Sequence, residues 1–60
     1  MNYPEIRNRI ATLSTAINTN HHMQLATRYY DEKHKLVEEC RELERERSRY
    51  LEMQEKFIPD

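Results

Sequence analysis

The amino-acid sequence predicts an all-α fold: a helical hairpin of a short N-terminal helix and a long C-terminal helix, which dimerises through the long helix. Three observations support this prediction. The chain has 60 residues and no glycine, its apolar residues recur at helical spacing, and the charged residues that make up 35% of it are mostly strong helix formers. A chain this short forms one domain at most, so residues 1–60 are expected to be a single helical domain.

The first predicted helix spans about residues 4–17. Pro4 suits the start of a helix, where its missing N–H is not needed, and Glu5 favours the positive end of the helix dipole. Four apolar residues follow at intervals of four, three and four, which gives one stripe along the helix: Ile6, Ile10, Leu13 and Ile17. With about four turns, this helix is too short to be stable alone in water.

The second predicted helix spans about residues 21–57 and has the stronger pattern. A row of apolar residues runs along this helix, and three further apolar residues each come directly after a member of the row: Tyr30, Val37 and Leu51. Pro59 ends the pattern. The row itself recurs at strict intervals of seven: Tyr29, Leu36, Leu43, Tyr50 and Phe57.

A turn at about residues 18–20 is predicted to separate the two helices. Steps of seven residues from Ile6 reach Asn20 and Thr27, which are polar, so the apolar stripe of the first helix does not continue. On one continuous helix, the row of the second segment would lie about 200° away from that stripe. The segment 18–20 is also the one interior cluster of poor helix formers. A hairpin is therefore favoured, and a single continuous helix that bridges two partners is the alternative.

The unequal helix lengths predict self-association. At 1.5 Å per residue the first helix is roughly 20–25 Å long and the second roughly 55 Å, so the C-terminal part of the second helix has no partner within the chain. A second copy would cover it, with antiparallel pairing favoured. The predicted intrachain core comprises Ile6, Ile10, Leu13, Ile17, Tyr30 and Val37. The predicted oligomer interface comprises Tyr29, Leu36, Cys40, Leu43, Tyr50, Leu51 and Phe57.

Composition argues against several classes of function. Without glycine the chain cannot form a phosphate-binding loop, and the single Cys40 excludes an internal disulfide and a thiolate zinc cluster. None of His21, His22 and His34 has a histidine four residues away, so no metal site is expected. No catalytic residue, cofactor or small-molecule ligand is expected either, because no nucleophile and base can be paired from the sequence.

The sequence also predicts a cytoplasmic protein. No apolar stretch approaches the roughly 20 residues that are needed to cross a bilayer. The N-terminus lacks the basic and apolar regions of a secretory leader.

Nucleic-acid binding is the alternative to protein binding. Arg7, Arg9 and Arg28, set against one glutamate, give residues 1–30 a net charge of +2, whereas residues 31–60 have seven basic and ten acidic residues and a net charge of −3. A dimer could collect six arginines on one surface. The net charge of −1 for the whole chain argues against a strong phosphate binder.

Three segments carry a resemblance to a known group of proteins: NYPEIRNRI at residues 2–10, LSTAIN at residues 13–18, and the acidic and basic tail. They look like one of the small early-region proteins of lambdoid temperate bacteriophages, which are encoded between the exonuclease and excisionase genes. The resemblance implies an oligomeric, non-enzymatic regulator in the bacterial cytoplasm. Such a protein would steer phage development between lysis and lysogeny by binding a host or phage protein.

Overall fold

The computed structural model describes residues 2–57, which form two α-helices joined by a short turn. α1 spans Tyr3–Ala26 and α2 spans Tyr30–Phe57. The helices pack antiparallel, because Tyr3 at the start of α1 contacts Gln54 near the end of α2, with 3.4 Å between the amide nitrogen and the phenol oxygen. The predicted all-α hairpin is confirmed, as a rod of 47 × 18 × 14 Å.

α1 begins with a side-chain cap. Asn2 is extended, with φ −94° and ψ 170°, and its Oδ1 accepts a hydrogen bond from the backbone N–H of Glu5 at 3.0 Å. This bond satisfies one of the four N–H groups that have no partner within the first turn of a helix. Pro4 in that first turn loses nothing by lacking an N–H, so residues 2–5 together fix the start of the helix.

The turn lies at residues 27–29, and the predicted turn at 18–20 is wrong. Thr27 leaves the helix with φ −80° and ψ 130°, which is extended backbone. α2 then starts with Asp31 and Glu32 in its first turn, where the helix dipole favours negative charge. This acidic pair is the local sequence signal for the true start of the second helix.

α1 continues through residues 18–20 because Asn20 is used in packing. Asn20 is 5% exposed, and its Nδ2 donates a hydrogen bond to the backbone oxygen of Leu36 in α2 at 2.9 Å. Its Oδ1 accepts a hydrogen bond from Nε2 of Gln24 at 2.6 Å. Asparagine breaks helices mainly when its side chain bonds to nearby backbone, and here the contact with α2 prevents that competition.

The two helices meet along a seam in which contact residues alternate at intervals of three and four, as in a coiled coil. All of its members are buried or half-buried. The α1 side of this inter-helix seam consists of Tyr3, Ile6, Ile10, Leu13, Ile17, Asn20 and Gln24, and Thr27 continues it directly after the helix. The α2 side consists of Leu36, Cys40, Leu43, Arg47, Tyr50 and Gln54. The spacing of three and four residues continues from the apolar members of the seam to its polar members, Asn20, Gln24 and Thr27. The change from apolar to polar residues in α1 therefore does not mark a turn.

The helices have similar lengths, with 24 residues in α1 and 28 in α2. The prediction that the C-terminal part of α2 lacks a partner within the chain is therefore wrong: Leu43 and Tyr50 lie half-buried in the seam. Tyr30, which was predicted in the core, is 81% exposed because it starts α2 beyond the end of α1. Of the other predicted core residues, some are buried and some half-buried: Ile6, Leu13 and Ile17 in the first group, Ile10 and Val37 in the second.

Candidate functional site

Three side chains from the two helices form a cluster at the middle of the hairpin. Sγ of Cys40 lies 3.3 Å from Nε2 of His21 and 3.5 Å from Oε1 of Glu44. The distance between Nε2 of His21 and Oε1 of Glu44 is 4.0 Å. A thiol, an imidazole and a carboxylate thus converge on one point, and we call these three residues the His–Cys–Glu cluster.

Helix packing assembles this cluster. His21 lies on α1 directly after Asn20, whose hydrogen bond to Leu36 fixes the height of α1 against α2. Cys40 and Glu44 are four residues apart on α2 and therefore share one face. The sequence predictions missed the cluster because they considered partners within one helix, whereas His21 meets its partners across the seam.

The environment of Cys40 favours the protonated form of its thiol. Burial raises the pKa of this thiol, and the hydrogen bond to Glu44 and the negative charge of Glu44 raise it further. The positive charge of Arg47 lowers the pKa but does not reverse the direction. A reactive catalytic cysteine needs the opposite, a lowered pKa.

The geometry of the cluster also differs from that of a catalytic triad. In a triad, the acid binds the imidazole nitrogen that faces away from the nucleophile, and so orients the ring. Here Cys40 and Glu44 both approach Nε2 of His21. Three side-chain atoms that can each coordinate a metal surround one point, and this arrangement resembles a set of metal ligands more than a catalytic proton relay.

The other two histidines lie outside the cluster. His22 is exposed on α1. The Nε2 atom of His34 lies 3.2 Å from Oε1 of Glu38, and the His34 ring stacks on Tyr30 with 6.2 Å between the ring centroids. Both features are exposed contacts along the start of α2.

Large apolar side chains remain exposed at both ends of the rod. Those near the turn are Met23, Leu25, Tyr29 and Tyr30, and those near the end of α2 are Leu51, Met53 and Phe57. Four members of the predicted oligomer interface lie instead in the inter-helix seam: Leu36, Cys40, Leu43 and Tyr50. The three members that remain open to a second chain are Tyr29, Leu51 and Phe57.

The three arginines of the predicted nucleic-acid surface do not meet within one chain. Arg7 and Arg9 lie near the start of α1, whereas Arg28 lies in the turn, about 30 Å away at 1.5 Å per residue. Arg7 and Arg9 themselves point about 200° apart around the helix. All three are exposed.

Neither of the two described helices has a stretch that is both long and apolar enough to cross a membrane. Comparison with protein-family models, curated proteins and solved structures gives no match to this chain.

Proposed function

We propose that the protein is a non-enzymatic helical interaction module, which pairs with a second copy of itself and regulates by binding another protein. The observation that carries this proposal is the balance between buried and exposed apolar side chains. Within residues 2–57, four apolar residues are buried, whereas seven large apolar residues are exposed. Such a core is small even for a domain of this size, and small domains commonly gain stability from oligomerisation.

A second copy is the simplest partner for the exposed apolar residues. Two helical hairpins that pair side by side form a four-helix bundle, and a two-fold symmetric pair uses the same surface on both copies. In an antiparallel pair, the turn end of one copy lies beside the open end of the other. Tyr29 of one copy then approaches Phe57 of the other, and each fully buried side chain of this size contributes about 1.5–3 kcal/mol.

The chemistry of the His–Cys–Glu cluster supports a non-enzymatic function. Cys40 is the one thiol in the chain, and its raised pKa disfavours the nucleophilic thiolate. The imidazole of His21 meets both neighbours through the same nitrogen, whereas the histidine of a triad lies between its acid and its nucleophile. These features favour binding over catalysis.

The resemblance to small early-region phage proteins extends the proposal to a biological setting. On that basis the module acts in the bacterial cytoplasm, binds a host or phage protein, and influences the choice between lysis and lysogeny. The wide separation of Arg7, Arg9 and Arg28 along the rod makes nucleic acid the less favoured partner.

Analytical ultracentrifugation of Leu51→Glu tests the proposed self-association. Leu51 is 41% exposed and lies outside the inter-helix seam, so its replacement leaves the packing of α1 on α2 in place. We expect the wild type to sediment as a dimer and the variant to dissociate at least about tenfold more readily, because a charge then has to be desolvated in the interface. Circular dichroism should show that the variant remains helical.

Arg49→Gln is the matched control, since it changes the charge by the same amount at an exposed position and removes no apolar surface. It should sediment as the wild type does. A monomeric wild type, or a Leu51→Glu chain as dimeric as its parent, contradicts the proposal.

A pull-down with the wild-type chain from bacterial lysate tests the second half of the proposal. Protein partners that remain after nuclease treatment support it. Loss of every partner after nuclease treatment supports the nucleic-acid alternative instead.

A further inference from the structure

The three donor atoms of the His–Cys–Glu cluster lie close to the spacing of one face of a metal tetrahedron. Zinc lies about 2.3 Å from sulfur, 2.0–2.1 Å from imidazole nitrogen and 2.0–2.2 Å from carboxylate oxygen. At tetrahedral angles these lengths place the ligand atoms about 3.4–3.6 Å from one another. Two of the observed separations lie within about 0.1 Å of this range, at 3.3 Å for sulfur to nitrogen and 3.5 Å for sulfur to oxygen. The nitrogen and oxygen atoms are 4.0 Å apart, so they must approach each other by about 0.4 Å when a metal binds.

The chemistry of the donors fits the same class of ion. Thiolate and imidazole are the ligands that borderline-soft divalent cations prefer, and carboxylate is a common third ligand of zinc. A bound metal displaces the proton of the Cys40 thiol. With Cys40 and Glu44 then both ionised and His21 neutral, the ligand set carries two negative charges, which balance a divalent cation. Three protein ligands leave a fourth position for water, as in open zinc sites.

The surroundings leave room for that fourth ligand. His21 and Glu44 line an open groove of about 520 Å³ between the helices, and their side chains are 55% and 49% exposed. Cys40 is buried, at 5% exposure, and is not among the residues that line this groove. Arg47 is the one arginine or lysine among the described residues that line the groove, and its charge opposes binding and limits the affinity.

We propose that His21, Cys40 and Glu44 bind one zinc-class divalent cation per chain and thereby tie α1 to α2 at the middle of the hairpin. The proposal does not depend on the proposed dimer or on its partner. Because the ligands meet only when the hairpin is formed, bound metal adds to the stability of the fold.

Titration of the reduced, metal-free full chain with Co²⁺ tests the site directly. Cobalt replaces zinc in such sites, and a thiolate ligand produces a charge-transfer band in the near ultraviolet. The expected result is one Co²⁺ per chain, a band that saturates at that ratio, loss of the band when Zn²⁺ is added, and a higher melting temperature with Zn²⁺.

Two variants with matched controls locate the ligands. His21→Gln and Glu44→Gln each remove one donor at a half-exposed position, and His22→Gln and Glu42→Gln make the same changes at neighbouring exposed positions. Loss of an outer partner of a metal ligand typically weakens binding about 10–100-fold, so loss of the ligand itself should cost at least that much. The controls should bind as the wild type does.

Circular dichroism of each metal-free variant separates loss of a ligand from loss of fold. The absence of a charge-transfer band in the wild type overturns the proposal. Equal Co²⁺ affinity in His21→Gln and His22→Gln, or one ion per two chains, overturns it as well.

Discussion

The buried amide of Asn20 is the side chain that carries α1 past the predicted turn, and Asn20→Ala perturbs it directly. The substitution removes the hydrogen bond to the Leu36 carbonyl and the bond from Gln24. Each such bond contributes about 0.5–1.5 kcal/mol net, whereas alanine gains up to about 0.7 kcal/mol in helix propensity. The variant should therefore lose roughly 0.3–2.3 kcal/mol of unfolding free energy.

Asn18→Ala is the matched control, because Asn18 is an exposed asparagine two residues earlier in α1. It gains the same propensity and loses no bond across the seam, so it should stabilise the chain by about 0.5 kcal/mol. Thermal melts at one protein concentration measure the change in stability of both variants. For a chain of this length, 1 kcal/mol of unfolding free energy shifts the melting temperature by about 8 °C. A fall in melting temperature for both variants would refute the reasoning, because two capping asparagines in a turn at 18–20 would behave in that way.

Two further predictions concern the core. Ile6 is 0% exposed, so Ile6→Ala should lower the free energy of unfolding by about 2–5 kcal/mol. The total free energy of unfolding expected for 60 residues is about 3–9 kcal/mol. Urea unfolding measures the loss, and a value below about 1 kcal/mol would contradict the burial of Ile6. Burial first, and the hydrogen bond to Glu44 second, raise the pKa of the Cys40 thiol, so iodoacetamide should alkylate the metal-free folded chain more slowly than the urea-unfolded chain at pH 8. The fold favours the protonated thiol, so this contribution to stability is complete below the unfolded pKa of about 8.5 and is lost as the pH rises through the folded pKa. Equal alkylation rates in the folded and unfolded chains would contradict the raised pKa.

Sequence periodicity predicted the fold class and the apolar stripe of α1, because helical spacing follows directly from helix geometry. It misplaced the turn because Asn20 and Thr27 continue that stripe with polar side chains, and a one-dimensional pattern does not show which asparagine has a partner on another helix. Tyr30 was misassigned to the core for the same reason, since the end of α1 decides what lies opposite it.

The His–Cys–Glu cluster could not be predicted from the spacing of residues in the sequence. His21 and Cys40 are 19 residues apart in sequence, and their contact depends on the exact height at which α1 packs against α2. That height is fixed by contacts such as the one between Asn20 and Leu36. Only after the turn is placed at 27–29 do the three donors fall together.

A distance measurement by pulsed electron paramagnetic resonance tests most directly whether the chain folds back on itself at residues 27–29. Spin labels on Asn8→Cys and Glu52→Cys, in a Cys40→Ser background, occupy exposed positions on α1 and α2 near the open end of the hairpin. The hairpin predicts roughly 15–30 Å, from a helix separation of about 8–10 Å plus the label arms, and this distance should persist when labelled chains are diluted with unlabelled ones. A distance near 66 Å, which a continuous helix would give at 1.5 Å per residue, or a short distance that disappears on dilution, would contradict the fold on which the proposed function and the metal site both rest.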